Sequence, residues 1–164
     1  HLLRALTSPE PGGEILPPPG EPPMRALVPG KAEGPLVGGC LSLISALMGT
    51  PWELDTAGKV LIFEDVDEEP YKYDRWLCQL RSAGKLDVCA AVVVGQCTNA
   101  APKRPEKSLS LEEVFQDLLG SLKVPVLLGA PFGHGPRKAT YPLGARALVD
   151  GDEARLYLTE SGVC

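Results

Sequence analysis

Lys59-Val60-Leu61-Ile62-Phe63-Glu64 is an almost unbroken apolar run that follows a glycine and ends on an acid. A run this short and this apolar reads as a strand buried on both faces, as in a parallel sheet covered by helices. Working outward, Tyr73, Trp76, Leu77 and Leu80 recur at i, i+3, i+4 and i+7, and Gly84 supplies a stop, so an amphipathic helix is predicted over 71–83. A second buried strand is predicted at 89–95. Upstream, Leu41, Ile44, Ala46, Leu47 and Met48 suit a short helix between Gly38-Gly39 and Gly49-Thr50-Pro51.

Downstream, residues 98–108 are polar and carry Pro102 and Pro105, which makes them a surface loop. Ser110 then begins a helix as its cap, with Glu113 as capping-box partner and Leu111, Val114, Phe115, Leu118 and Leu119 as its buried stripe. Val126-Leu127-Leu128-Gly129 is predicted as a short buried strand. Residues 144–149 and 153–159 alternate across Asp150-Gly151-Asp152 and read as a terminal β-hairpin. The class is α/β with a β-rich end.

Nine of the seventeen prolines fall between Pro9 and Pro35. Proline fixes φ and removes a donor, so this stretch is expected to contain neither a helix nor a central strand. It reads as an extended connector or as a linker from another domain. The chain therefore divides into a Pro/Gly-rich lead-in at 1–35 and a folded domain at 36–164. The start, His1-Leu2-Leu3-Arg4, suggests a piece of something longer.

Composition narrows the function. With 44% hydrophobic and 23% charged residues the chain is neither disordered nor, lacking an apolar run near the ~20 residues of a bilayer span, a membrane protein. A net charge of -5 with scattered basic residues argues against nucleic acid. The cysteines, Cys40, Cys78, Cys89, Cys97 and Cys164, are odd in number, and several sit inside apolar runs, so a reducing cytoplasm is expected. With no CxxC pair and only His1 and His134 as histidines, no metal is expected.

Two residues place an ionisable group just after a buried strand, where the carboxyl edge of a sheet gathers side chains. Asp67, Glu68 and Glu69 are explained as solvent-reaching acids entering a helix. Glu64 is less well explained that way, because it directly continues the apolar run. His134, within Phe132-Gly133-His134-Gly135-Pro136, is either an exposed imidazole in a turn or a functional base. A carboxylate and an imidazole together form two thirds of a catalytic triad. The nucleophile is missing. There is no G-x-S-x-G elbow, and the eight serines sit in turn or helix patterns. Cys40 is a nucleophile by type, yet its apolar surroundings describe a packed thiol.

Gly34-Pro35-Leu36-Val37-Gly38-Gly39-Cys40-Leu41-Ser42-Leu43, Leu47-Met48-Gly49-Thr50-Pro51, Phe63-Glu64-Asp65-Val66, Pro70-Tyr71-Lys72-Tyr73-Asp74-Arg75, Gln79-Leu80 and Pro131-Phe132-Gly133-His134-Gly135 occur in this order. As an ordered set they resemble the C-terminal domain of the LD-carboxypeptidases, a family that also includes the microcin C self-immunity peptidases. The similarity runs from about Arg4-Ala5-Leu6-Thr7 to the last hairpin.

The resemblance implies a swivelling β/β/α domain of a cytoplasmic serine peptidase that releases terminal D-alanine from murein tetrapeptide in peptidoglycan recycling. It implies a Ser-His-Glu triad in which Glu64 and His134 match the family's acid and base, while the serine lies in an N-terminal nucleophile domain. The 164 residues alone are then expected to be inactive. No cofactor is implied, and a homodimer is a family expectation. The family usually has Asn where this sequence has Cys40, so Cys40 becomes a candidate substrate contact and the substrate preference is open. Asp74, Arg75 and Gln79 have structural readings. The alternatives are a peptidase acting on a peptidyl-nucleotide and, outside the enzymes, a non-catalytic interdomain or dimerisation module.

Overall fold

A computed structural model describes residues 2–163; His1 and Cys164 lie outside the described residues. The elements run α1 (Leu2–Thr7), β1 (Gly13–Glu14), β2 (Arg25–Val28), β3 (Lys31–Cys40), α2 (Leu41–Ala46), β4 (Val60–Glu64), α3 (Pro70–Ser82), β5 (Ala91–Gln96), a 3-10 turn (Pro105–Lys107), α4 (Leu111–Leu119), β6 (Val126–Gly133), β7 (Arg146–Asp150) and β8 (Arg155–Leu158). The strand order is β1-β8-β7-β3-β4-β5-β6-β2. Strands β3 to β6 are mutually parallel and spatially consecutive, and each of their connections passes through one helix.

Period-2 alternation in the parallel strands divides the interior into two cores. Leu61, Phe63, Val92, Val94, Val126 and Leu128 face the helices, where they meet Leu41, Tyr73, Leu77, Phe115 and Leu119. Val60, Ile62, Ala91, Val93 and Leu127 face the other way, against Ala147, Val149, Leu156 and Leu158 of the antiparallel lobe. All three crossover helices thus share one face of the parallel sheet and the β7/β8 hairpin covers the other. The result is the α/β class with a β-rich end read from the sequence, in the β/β/α layering that the family resemblance implied.

Local chemistry fixes the helix that leads into β6. Ser110 Oγ accepts from the Glu113 N–H at 3.2 Å while Glu113 Oε2 accepts from the Ser110 N–H at 2.7 Å, completing the expected capping box. Such a cap is worth about 1 kcal/mol. Val114, Phe115, Leu118 and Leu119 are buried beneath it.

The reading of the proline-rich stretch needs correction. Arg25–Val28 is an edge strand, and residues 31–35 belong to an interior strand, β3, which runs without a break through position 35. Residues 31–35 pair with β7 and residues 36–40 with β4, so β3 joins the antiparallel lobe to the parallel one. Pro35 is tolerated for a geometric reason. Leu36 directs its N–H to Ala145 O (2.9 Å) and its carbonyl to Gly144 N (2.8 Å). Alternation then aims the Pro35 nitrogen to the opposite side, where pairing with β4 begins only at Leu36. No ladder donor is lost. Ile15 and Met24, also from this stretch, are buried in the second core.

Candidate active site

The carboxyl ends of the four parallel strands supply the site. Cys40 ends β3, Glu64 ends β4, Gln96 ends β5, and His134 directly follows β6. Cys40 and Glu64 are neighbours in register, as are Gln96 and Gly133. Glu64 continues the Val60 and Ile62 side of β4 and its side chain is 7% exposed, whereas the His134 side chain is 49% exposed.

His134 Nδ1 lies 2.8 Å from Glu64 Oε2. Seventy residues of sequence separate the two, and the parallel sheet brings them together. A carboxylate can only accept, so Nδ1 carries the proton when the imidazole is neutral. Nε2 is left with its lone pair and has no partner among the described residues. The pair is therefore an oriented base whose reactive nitrogen is free.

Gly133 makes this approach sterically feasible. Its φ is +111°, and a Cβ added there would stand 2.7 Å from Glu64 Oε2 and 2.8 Å from Glu64 Cγ. A side chain at 133 would clash with the carboxylate and occupy a backbone region that L-residues rarely adopt. The strand leading to it is longer than the four residues expected, because pairing with β5 resumes at Gln96–Gly133 after an irregularity beyond Val94–Leu128.

Asp65, next in sequence, serves the scaffold. Burial raises its carboxyl pKa, but the N–H groups of Ser42 (2.8 Å) and Val66 (2.9 Å) outweigh this and hold it below the ordinary value. Asp65 thus ties the start of α2 to the end of β4. Cys40 is half-buried, with Sγ 3.4 Å from Ser42 Oγ, and burial pushes its thiol above the ordinary range. That is the packed thiol the sequence suggested. It lies at the rim of the site beside Glu64, where a side chain could meet a ligand. Gln79 takes the structural part foreseen for it: Ser45 Oγ donates to Gln79 Oε1 at 2.6 Å, linking α2 to α3.

The sequence reading passed over Gln96. It closes the apolar run Ala91-Val92-Val93-Val94-Gly95 with a polar residue, the same signal that singled out Glu64. Its Oε1 is buried and unpartnered among the described residues. No group of three His, Cys, Asp or Glu is placed to hold a metal ion among the described residues. No helix there is long and apolar enough to cross a membrane.

A family model described as the LD-carboxypeptidase C-terminal domain matches residues 33–149. The chain belongs to this family. A probable murein peptide carboxypeptidase of Bacillus subtilis is 48% identical over 141 residues, covering 86% of this chain and 44% of that protein. The microcin C7 self-immunity protein MccF of Escherichia coli is 27% identical over 137 residues, covering 80% and 38%. Among solved structures, the muramoyltetrapeptide carboxypeptidase from Oxalobacter formigenes superposes with a TM-score of 0.77 at 30% identity, covering 96% of this chain and 52% of that one. The chain thus spans about half the length, or less, of the relatives it matches.

Proposed function

We propose that this LD-carboxypeptidase domain supplies the acid and base, Glu64 and His134, of a Ser-His-Glu triad whose serine lies in an N-terminal nucleophile domain. The observation that carries the reading is the 2.8 Å contact between Nδ1 of the half-exposed His134 imidazole and a buried carboxylate. The substrate is a murein tetrapeptide and the product its terminal D-alanine, supported by the relatives named as murein peptide and muramoyltetrapeptide carboxypeptidases. We place the reaction in the cytoplasm, in keeping with the four free thiols among the described residues.

In this mechanism the serine hydroxyl transfers its proton to His134 Nε2 as Oγ bonds to the scissile carbonyl carbon. Glu64 accepts from Nδ1–H throughout, holding the tautomer and stabilising the imidazolium. Collapse of the tetrahedral intermediate breaks the C–N bond, and Nε2 returns the proton to the amine of departing D-alanine. Water then repeats the sequence on the acyl-enzyme. Donors for the oxyanion come from the serine's own domain. Cys40 borders the site where the family's Asn would stand and is the residue to examine for substrate preference. The likeness to MccF keeps cleavage of a peptidyl-nucleotide as the second reading, with the same triad.

The test is D-alanine release from murein tetrapeptide by a protein that joins this domain to its serine-bearing partner. His134→Ala is expected to abolish release while leaving the protein folded, and the 164-residue chain alone to release none. A folded, joined protein that spares murein tetrapeptide and cleaves a peptidyl-nucleotide moves the assignment to the second reading.

A further inference from the structure

Gln96 lines the site, yet the proposed mechanism gives it no part, and its surroundings are specific. A Cβ added at Gly135 would lie 1.8 Å from Gln96 Oε1 and 2.7 Å from its Cδ, so the Gly135 main chain rests directly on the amide. At Gly133, an added Cβ would lie 3.0 Å from Gln96 O, and Gln96 and Gly133 are partners in the sheet. Both neighbours of His134 are thus seated on the same residue, one on its side chain and one on its backbone.

Such a seat answers a mechanical problem. Glycines on both sides give the main chain around His134 more conformational freedom than any other flanking pair. The single hydrogen bond to Glu64 anchors Nδ1, but it leaves the ring able to swing about that contact and carry Nε2 with it. A base must hold its reactive nitrogen to a fraction of an ångström. An apolar side chain of similar length would fill the space under Gly135 without burying an unpartnered oxygen, a feature native interiors rarely keep without a use. The Gln96 oxygen instead offers Gly135 Cα–H an acceptor in a fixed place.

We infer that Gln96 is a positioning residue: by seating Gly133 and Gly135 it fixes the direction in which His134 presents Nε2. This rests on the reading of His134 as a general base, but it can be tested apart from catalysis. The probe is the imidazole itself, observed by 15N NMR in this chain, with His134→Ala separating its signals from those of His1. In the parent chain, the two ring nitrogens are expected to show one Nδ1–H tautomer in a single environment. Gln96→Met, which keeps the length and removes the oxygen, is expected to broaden or shift the His134 signals while the denaturation midpoint stays close to that of the parent. Gln96→Ala should do the same more strongly and carries the comparison if the methionine variant folds poorly. Joined to the serine-bearing domain, either variant is expected to lower kcat about tenfold to a hundredfold with KM little changed.

Ring signals identical to the parent in both variants would overturn the inference, including the case in which stability falls but His134 is undisturbed. A joined protein that never releases D-alanine would sink the murein carboxypeptidase reading alone, since the ring signals still decide the role of Gln96.

Discussion

Asp150 and Glu64 are both buried acids that end a strand, and they are used in opposite ways. Asp150 closes β7 with its oxygens spent locally. Oδ2 pairs with Lys31 Nζ at 2.7 Å, and Oδ1 accepts from the N–H groups of Asp152 and Glu153 at 3.1 Å each, which shapes the hairpin turn. Glu64 closes β4 and spends Oε2 on a half-exposed imidazole that could have stayed in water. Burying a carboxylate costs free energy, and backbone donors in a turn offset that cost by ordering the chain. Pairing with an exposed histidine does little for the fold. In the reading proposed above, the functional acid is the one that takes no backbone donor of a turn and whose partner keeps a second ring nitrogen without a hydrogen bond among the described residues. Asp65, one residue further on, falls in the structural group because Ser42 and Val66 donate to it.

The strongest way to break this contrast is Glu64→Gln. In the serine-bearing protein it is expected to lower kcat for D-alanine release by about 10⁴-fold, the scale seen when a triad acid loses its charge and the histidine takes the wrong tautomer. The denaturation midpoint should move little. A variant that unfolds, or that keeps near-parental kcat, would put Glu64 in the same class as Asp150.

The next effect is smaller and acts through geometry. Gly133→Ala keeps both Glu64 and His134 but inserts a methyl where the carboxylate sits. Displacing the imidazole by about 1 Å is expected to cost roughly 10²-fold in kcat. In a crystal structure of the variant, the Nδ1–Oε2 contact should be lengthened from 2.8 Å. An unchanged contact with unchanged rate would show that the strand end can yield without moving the site.

These residues also show what a sequence carries and what it hides. Glu64 was legible because it directly continues an apolar run that is buried on both faces, so an acid placed there shares that burial. His134 was legible through its glycines and its motif, although nothing in its own spacing gave its distance to Glu64. The helices after β4 and β5 follow from period and caps, which are local. Strand β3 was hidden because proline was judged by its effect on an average strand. Whether a missing N–H matters depends on which side of the strand it faces, and that is set by the partners β7 and β4, more than 100 and about 25 residues away. Gln96 was overlooked for a related reason: its significance lies in Gly133 and Gly135, which reach it only through the irregular pairing of β5 with β6.

The smallest effect sharpens the contrast from the structural side. Lys31 first, and then the N–H groups of Glu153 and Asp152, hold the Asp150 carboxyl below its ordinary range in the folded protein. A group with a depressed folded pKa adds stability that is fully present above its unfolded value, about 3.9 for aspartate, and is lost as pH falls through the folded value. Asp150→Asn should therefore lower the urea midpoint at pH 7, and the gap to the parent should shrink as pH falls from the unfolded value, about 3.9, through the lower folded value of the parent carboxyl. In the serine-bearing protein the same variant should leave kcat at pH 7 unchanged, because Asp150 lies on the antiparallel lobe, on the hairpin turn rather than at the carboxyl edge of the parallel strands. A gap that stays constant as pH falls from about 7 until the parent carboxyl is protonated would mean that the carboxylate's charge contributes nothing to the turn. The distinction between the two buried acids would then rest on Glu64 alone.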